Sequence, residues 1–499
     1  MTLSKEGPAM TRTAVRMNSR PLAGVLVASG ILVLSGCASV PPDAGFSQVQ
    51  QSASKRLNKQ VHWAQGGPED RAVQAVVQRL LLEPLTAEKA VQIALLNNAG
   101  LQAEFENLGI SQANLIQAGL LANPVFSAAY LYSPIGSNTS LGVAQDFLNV
   151  FTLAGRKRIA TAEFDSTRLK VTQRVMDLAT QVRIAYYSAV ANAQTLGLDR
   201  QIVSSTQAAA ELAERQVEAG TLSRRDQYLH QTFYAQQLVE LQNAETQLVS
   251  AREQINGLLG LWGADTQWQL PDRLPDVPTV KAQLDHIESF AIAHRLDLAA
   301  DQKQVDALAY GLGYTQRFRY LSLLGIGVNV TLDGIDRTIQ RGPELVLGVP
   351  LFDRGQGRIR GLEATLRGSE QRRRQLAVDI RAQVRDAANR LQSTQQTADY
   401  YRRVLLPLQQ QTLTENQRFY NGMLIGVYDL LLSKQNEITT ARQYVLATRD
   451  YWITRAELER VRGGPLPPAA NNAPSAQETV QTSAAPAPSP TPTHRHGVQ

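Results

Sequence analysis

The hydrophobic positions of this chain follow two different spacings, and each spacing predicts a different kind of element. Over long stretches they recur alternately four and three residues apart, as in Val171, Val175 and Leu178. This heptad spacing is typical of helices that pack against other helices. Apart from Gly197, nothing between residues 156 and 219 decisively breaks a helix. The pattern therefore predicts helices far longer than those of ordinary globular domains.

Four short segments have the length of strands, and three of them alternate between apolar residues and small or polar residues, which is the spacing of strands with two unlike faces. The segment 125–132 is instead apolar on both faces. In one of the three, Leu324, Ile326 and Val328 alternate with glycines. The four segments are 125–132, 139–147, 322–332 and 342–351. Such alternation fits strands that face lipid on one side and water on the other. It also fits a half-buried sheet of a soluble domain.

The same order of elements occurs twice, about 200 residues apart. Gln181-Val182-Arg183 aligns with Gln383-Val384-Arg385, and Gly220-Thr221-Leu222 aligns with Gly422-Met423-Leu424, both at an offset of 202 residues. Each half contains a helix, two short strands, a very long helix, a turn and a second long helix. The predicted fold class is therefore mainly α with a β part, internally duplicated.

These patterns divide the chain into six segments. They are a signal peptide (1–36), an N-terminal lipidated segment (37–84), a first repeat (85–268, strands about 124–148 and long helices about 155–261), a Pro-rich linker (269–283), a second repeat (284–462, strands about 321–352 and long helices about 357–462) and a Pro/Ala/Ser/Thr tail (463–499). The tail's composition predicts disorder. Thr86 is the expected N-cap of a helix that runs to Leu121, and its counterpart runs from Leu284 to Tyr320.

The N-terminus has the features of a lipoprotein signal. Its apolar run, 21–34, is too short to cross a bilayer as a helix, which needs about 20 residues, but it suits a signal peptide. Leu34-Ser35-Gly36-Cys37 resembles the lipobox of bacterial lipoproteins, in which the cysteine thiol accepts the lipid. Ala38-Ser39 lacks the aspartate that retains a lipoprotein at the inner membrane. The resemblance favours the outer membrane of a Gram-negative bacterium.

The net charge gives little support for nucleic-acid binding. The chain carries a formal charge of +6, and residues 1–36 contribute +3 of it through Lys5, Arg12, Arg16 and Arg20 against Glu6. Removal of the signal peptide leaves 6 − 3 = +3. Because Cys37 is the only cysteine, no disulfide can form within the chain.

No catalytic or metal-binding motif is found. The chain contains no HExxH, no GxSxG and no phosphate-binding loop. His62, His230, His286 and His294 lack the spacing of metal ligands, and His494-Arg495-His496 lies in the tail. We therefore expect neither an enzyme nor a metal site, and no cofactor other than a covalent lipid on Cys37.

Four strands are too few to close a barrel, since small barrels need about eight. A lone two-stranded hairpin is also only marginally stable. If the strands span a membrane, other copies of the chain must complete the sheet. A ring of three chains would supply twelve strands.

The duplicated elements and the lipobox together resemble a known family, the TolC-like outer-membrane factors of tripartite efflux pumps, in their lipoprotein branch. The resemblance covers about 85–462. It is carried by Leu85-Thr86-Ala87-Glu88-Lys89-Ala90, Ala94-Leu95-Leu96-Asn97-Asn98, His294-Arg295-Leu296-Asp297-Leu298 and the paired turns Glu218-Ala219-Gly220 and Tyr420-Asn421-Gly422. Each motif alone is degenerate, but their duplicated order after a lipobox is specific.

The resemblance implies a homotrimer with a 12-stranded β-barrel in the outer membrane and a long α-helical barrel in the periplasm. Its function would be a passive exit duct for small molecules or ions, supplied by an inner-membrane transporter through a periplasmic adaptor protein. Two alternatives come from other classes: a periplasmic coiled-coil adaptor or scaffold lipoprotein without a channel, and a lipid-anchored enzyme. The duplicated strand pairs argue against the first, and the missing catalytic motif argues against the second.

The resemblance also implies a periplasmic gate ringed by acidic side chains. Carried over by position, these fall on Asp226 and Asp429, with Tyr428 and Leu432 beside the second. A ring of carboxylates narrows a pore and favours cations. Leu432 stands where the family often has a second acidic residue, which predicts a more hydrophobic gate. The alternative is that both aspartates are exposed charges at helix ends.

We expect Cys37→Ser to abolish lipidation and to leave the assembled protein in the outer membrane, because the strands themselves would anchor the trimer. The mass of the mature N-terminal peptide and fractionation of the two membranes measure both effects. If this variant disappears from the outer-membrane fraction, the strands do not hold the protein there.

Overall fold

The computed structural model describes residues 43–280, 282–320 and 323–466. The predicted lipidation site at Cys37 and the tail beyond residue 466 lie outside this part of the chain. The described residues form helices and one four-stranded antiparallel sheet. The predicted fold class, mainly α with a β part, is thus confirmed for the single chain.

The order of the elements shows the internal duplication directly. Two helices come first, α1 (Phe46–Leu57) and α2 (Pro68–Leu81). The first repeat consists of α3 (Ala87–Asn97), α4 (Ala99–Ala118), β1 (Val125–Ser133), β2 (Gly136–Asp146), α5 (Leu148–Glu218) and α6 (Arg224–Leu259). The second repeat consists of α7 (Ile287–His294), α8 (Leu296–Phe318), β3 (Leu323–Asp333), β4 (Ile339–Gly348), α9 (Gln356–Tyr400), α10 (Leu406–Asn421) and α11 (Val427–Arg462).

The predicted helix of residues 86–121 is broken in the structure, and so is its counterpart in the second repeat. Thr86 does cap α3, since its Oγ1 accepts a hydrogen bond from the Lys89 N–H at 3.2 Å. The helix then ends at Asn98, whose backbone is extended (φ −71°, ψ 115°). Arg295 interrupts the second helix in the same way (φ −67°, ψ 124°). The prediction of one continuous helix was wrong at equivalent positions of both repeats.

The two breaks have a tertiary cause. The Asn98 side chain caps α4 by accepting from the Leu101 N–H at 2.8 Å, and its amide donates to the Leu258 carbonyl at 2.9 Å. In the second repeat the Arg295 guanidinium donates to the Val461 carbonyl at 3.1 Å. In each repeat the broken helix therefore satisfies carbonyls at the end of the last long helix, which have no partner within that helix.

Two further differences concern the long helices. α5 begins at Leu148 rather than near residue 156, because Asp146 accepts hydrogen bonds from the Leu148 N–H at 2.9 Å and the Asn149 amide at 2.5 Å. In the second repeat a π-helical turn, Tyr401–Leu405, separates α9 from α10. Pro407 is the second residue after this turn, and its missing N–H disrupts regular α-helical bonding.

The sheet has strand order β1-β2-β3-β4, so the central β2–β3 pair joins the two repeats. The register places Phe126, Val143 and Val328 side by side on one face, and Ser127, Gly142 and Asn329 on the other. The first face is apolar and exposed, and its large members are Phe126, Tyr130, Leu141, Val143, Ile326, Val328, Leu332, Leu345 and Leu347. The second face is mostly small or polar and includes Asn138, Ser140, Thr331, Gln340 and Glu344.

The chain divides into two compact units. The first unit contains the sheet and the helix ends that flank it, within Gly109–Thr161 and Tyr310–Ile359. The second unit contains Gly45–Leu108, Ala162–Ala309 and, in the part of the chain that the structure describes, residues 360–466.

The core of the second unit lies along the predicted heptad seams. Seam residues that are at most 2% exposed are Val171, Val175, Val182, Ala185 and Ala189 on α5 and Ile380, Val384, Ala387 and Leu391 on α9. The N-terminal helices join this core, since Phe46 packs edge-on against Phe105 with ring centroids 5.0 Å apart. Burial of such aliphatic and aromatic side chains contributes about 1.5–3 kcal/mol each.

Candidate functional site

The predicted gate residues lie at the tips of two helical hairpins within the second unit. The first tip joins α5 to α6 between Glu218 and Arg224, and the second joins α10 to α11 between Asn421 and Val427. In each tip an N–H reaches back to the carbonyl five residues earlier: Thr221 to Gln216 at 2.8 Å and Leu424 to Phe419 at 2.9 Å. This bond is characteristic of a Schellman helix end.

The residue that takes the left-handed conformation differs between the tips. It is Gly220 in the first tip (φ 72°) and Met423 in the second (φ 59°), whereas Gly422 has an ordinary φ of −83°. The alignment of Gly220 with Gly422 is therefore displaced by one residue in the structure. A methionine in this conformation is strained relative to glycine, and its side chain is 94% exposed.

Asp226 and Asp429 occupy the same position in the first turn of their helices and cap those helices. The Asp226 N–H donates to Ser223 Oγ at 3.2 Å, and the Ser223 hydroxyl donates to Asp226 Oδ2 at 2.7 Å. In the second tip the Gly426 N–H donates to Asp429 Oδ2 at 3.2 Å. A carboxylate here also interacts favourably with the positive end of the helix dipole. Each carboxylate thus accepts hydrogen bonds from residues of its own tip.

Tyr428 connects the two tips. Its hydroxyl donates a hydrogen bond to Gln216 Oε1 at 2.8 Å, at the end of α5. Its ring stacks on the imidazole of His230 in α6, with centroids 3.9 Å apart and planes inclined by 16°. We call Gln216, His230 and Tyr428 the tip contact. It joins the first hairpin to the second through one hydrogen bond and one ring pair.

The tip contact includes two residues that sequence reasoning did not single out. In the sequence His230 only lacks the spacing of a metal ligand, and no motif includes Gln216. The only local signal is that His230 lies four residues after Asp226, on the same face of α6. Their joint contact with Tyr428 spans about 200 residues of sequence, so spacing alone does not reveal it.

The surroundings of the tip contact affect the pKa values of its ring side chains. Partial burial lowers the pKa of His230, while Asp226 on the same helix acts in the opposite direction. Burial raises the pKa of Tyr428. Both groups are therefore uncharged at neutral pH, which suits a stacked pair of partly buried rings.

Leu432 lies beyond the tip contact and is 55% exposed. Other apolar side chains at the tips are also exposed, namely Leu229, Met423 and Leu424. Exposed apolar side chains in such number mark a contact surface rather than an ordinary solvated end. The structure thus brings Tyr428 into contact with the first hairpin and leaves Asp429 and Leu432 exposed in the protomer.

We expect acidification to weaken the tip contact. Because the pKa of His230 is lowered in the folded tip, charging its ring costs stability. The contact is intact at neutral pH and weakens as the pH falls through the ordinary histidine value of about 6.5. Single-channel recordings between about pH 7 and about pH 5 should show a larger open fraction at the acidic end.

The matched variant for this pH effect is His230→Phe, which keeps an aromatic ring against Tyr428 and cannot titrate. The charged or titratable groups involved are Asp226 on the same helix and Tyr428 on α11. An unchanged pH response in His230→Phe would assign the effect to another group.

No helix among the described residues is long and apolar enough to cross a membrane. Within the same residues, no group of three or more His, Cys, Asp or Glu side chains is placed to hold a metal ion.

Comparisons with known proteins agree with this architecture. The sequence profile of the family described as "Outer membrane efflux protein" matches residues 129–261. The cobalt-zinc-cadmium resistance protein CzcC of Cupriavidus metallidurans is 23% identical over 398 residues, which cover 76% of this chain and 90% of that protein.

Solved structures show the same fold at low sequence identity. The CmeC outer membrane channel of Campylobacter jejuni matches with a TM-score of 0.66 and 12% identity, over 76% of this chain and 86% of that chain. The outer membrane protein VceC of Vibrio cholerae matches with a TM-score of 0.64 and 15% identity, over 79% of this chain and 98% of that chain.

The duplicated order of strands and very long helices matches the fold of the CmeC outer membrane channel. Residues 129–261 match the outer membrane efflux protein family, and the predicted resemblance of the chain to TolC-like outer-membrane factors is confirmed. The relatives named above are a resistance protein, an outer membrane channel and an outer membrane protein, and the location of this chain is the outer membrane of a Gram-negative bacterium.

Proposed function

We propose that three copies of this chain form the exit duct of a tripartite efflux system. A periplasmic adaptor would join the duct to an inner-membrane transporter, which supplies the energy. The observation that carries this proposal is the exposed apolar face that runs across all four strands, opposite a face that is mostly small or polar on β2, β3 and β4. With three copies, twelve strands could close around a polar lumen and present the apolar faces to lipid.

The tip contact supports a duct that is closed at rest. Each protomer would hold its two hairpins together through Tyr428, and the exposed apolar tips would meet the other copies or the adaptor. Asp226 and Asp429 keep their helix starts fixed at the entrance. Opening would then require loss of one hydrogen bond and one ring pair in each protomer.

The first experiment is the mass of the protein extracted in mild detergent from separated membranes, followed by single-channel recording. A trimer in the outer-membrane fraction that conducts ions in planar bilayers supports the duct. A monomer or dimer that is released once the lipid anchor is removed would contradict it and favour a coiled-coil scaffold lipoprotein.

We also propose that the cargo includes divalent metal cations. The support is the likeness to a cobalt-zinc-cadmium resistance protein over 90% of its length. Glu344 on the polar face of the sheet and the two tip aspartates would favour cations along the duct.

A strain that lacks this chain should lose tolerance to cobalt, zinc or cadmium salts and regain it on complementation. Unchanged metal tolerance with lost tolerance to organic compounds would contradict this cargo.

A further inference from the structure

The first unit carries an unpaired basic cluster at one end of the sheet. The strands turn into helices at this end, where β2 and β4 finish and β1 and β3 start. Six exposed cations follow or precede the strands there: Lys157, Arg158, Arg317, Arg319, Arg354 and Arg358. We call these six residues the basic belt. Among the described residues of Gly109–Thr161 and Tyr310–Ile359, no carboxylate lies within 4.0 Å of a lysine or arginine nitrogen.

The acidic residues beside the strand ends accept other hydrogen bonds. Asp146 accepts from the start of α5, and Asp353 accepts from the Gly355 N–H at 2.8 Å. Several exposed arginines of the second unit, in contrast, have carboxylate partners. Arg385 lies 3.3 Å from Glu288, and Arg390 lies 3.2 Å from Glu457. A surface rich in cations without carboxylate partners fits an anionic ligand.

Exposed aromatic side chains accompany the basic belt. Phe151 is 64% exposed, Tyr320 is 59% exposed and Phe352 is 92% exposed. Aromatic residues concentrate where a protein crosses from lipid tails to headgroups, because their rings suit both environments. This combination of rings and cations is expected at a membrane interface and is unusual for a surface that faces water only.

The register of the sheet places part of the basic belt on the apolar side. Phe147 continues the apolar face of β2, and its N–H donates to the carbonyl of Leu324, an apolar-face residue of β3, at 2.8 Å. Phe151 follows one helical turn later. Arg158 follows Phe151 by seven residues, which returns to the same side of α5. Phe147, Phe151 and Arg158 therefore lie in this order on the side of the chain that continues the apolar face of the sheet.

Two arginines of the belt are stacked on aromatic rings. The Arg158 guanidinium lies 4.2 Å from the ring centroid of Tyr310, and the Arg319 guanidinium lies 4.4 Å from that of Tyr320. Stacking holds the guanidinium plane, and Arg158 also donates to the Tyr310 hydroxyl at 3.3 Å. The remaining N–H groups of the two arginines can donate to a ligand. A phosphate group can accept two such bonds from one arginine.

We propose that the basic belt binds the phosphate groups of anionic phospholipids in the inner leaflet of the outer membrane. This inference rests on the proposed duct, because it requires the apolar face of the sheet to meet lipid. The belt would fix the depth of the trimer in the membrane at the level where the strands end.

The test uses the purified full-length trimer and native mass spectrometry with phosphatidylglycerol or phosphatidylcholine added. The variant is the double substitution Arg158→Gln with Arg319→Gln. The matched control is Arg374→Gln with Arg381→Gln, which removes the same charge from exposed positions of α9 in the second unit. Wild type and control should retain phosphatidylglycerol over phosphatidylcholine. The double variant should bind phosphatidylglycerol about 25-fold more weakly, since each arginine near a headgroup contributes about fivefold.

Several results would overturn the inference. Equal retention of the two lipids by the wild type, in a trimer that still conducts ions, would reject the basic belt and leave the duct intact. Failure of the wild type to form trimers or channels in any bilayer would reject the duct itself. Displacement of phosphatidylglycerol by excess inorganic phosphate would assign the belt to a soluble anion. Dissociation of the double variant into monomers would assign the arginines to contacts between copies.

Discussion

Tyr428→Ala is expected to shift the closed–open equilibrium of the channel toward the open state by about five- to 150-fold for each protomer, the largest functional effect that the structure predicts. The substitution removes the hydrogen bond to Gln216 and the ring pair with His230. Each of these contributes about 0.5–1.5 kcal/mol, so their joint loss shifts a closed–open equilibrium by about 1–3 kcal/mol per protomer. Single-channel recording in planar bilayers measures the change directly.

Two further variants separate the parts of this effect. Tyr428→Phe removes the hydrogen bond and keeps the ring pair, so it should fall between wild type and Tyr428→Ala. Tyr228→Ala is the control: this tyrosine lies at the equivalent end of α6, in the first tip, and is 59% exposed, and the described residues offer it no hydrogen bond or ring partner. If Tyr428→Ala and Tyr228→Ala conduct alike, the tip contact does not hold the duct closed.

The elements of the fold were predictable because their spacing is local. A heptad seam such as Val175 to Val182 requires burial on one side of a helix, and both residues are buried. The alternation in 322–332 likewise requires a strand with unlike faces, and the register aligns Val328 with Val143 on the apolar face. The duplication added further support, because each element could be checked against its copy.

The breaks within the elements were not predictable, because they depend on partners distant in sequence. Asn98 stops a helix that its neighbours would continue, and its amide partner is the Leu258 carbonyl, 160 residues away. Asn98 carries no local signal that separates this role from that of an exposed asparagine.

In the candidate site, too, some residues could be predicted from their local sequence and others could not. Position in the repeat was enough to select Asp226, Tyr428 and Asp429 for the tips. It could not select His230 or Gln216, because they meet Tyr428 only after the two hairpins pack. The capping roles of both aspartates were open from the sequence. The structure shows both carboxylates at helix starts, where they accept hydrogen bonds from within their own tips.

Gly260→Ala is expected to destabilise the second unit by about 2–4 kcal/mol, the largest stability effect that the structure predicts. Gly260 ends α6 in the left-handed conformation (φ 69°), which costs a residue with a side chain about 1–2 kcal/mol. An added Cβ would also lie 2.7 Å from the Asn97 carbonyl oxygen. Asn97 is held close to Gly260, because its amide donates hydrogen bonds to the carbonyls of Leu259 at 3.0 Å and Gly260 at 2.9 Å. It cannot move away from an added Cβ without losing these bonds.

Thermal unfolding of the purified trimer, followed by circular dichroism, measures this loss. Gly257→Ala is the control, because Gly257 lies in the last turn of the same helix with no atom within 4 Å of an added Cβ. It should leave stability unchanged or raise it by up to about 1 kcal/mol. Gly463→Ala tests the duplicated counterpart, where φ is 83° and the Cβ would lie 3.0 Å from the His294 carbonyl oxygen. Equal melting temperatures for Gly260→Ala and Gly257→Ala would show that the end of α6 accommodates a side chain. The hydrogen bonds between Asn97 in α3 and the end of α6 would then not be rigid.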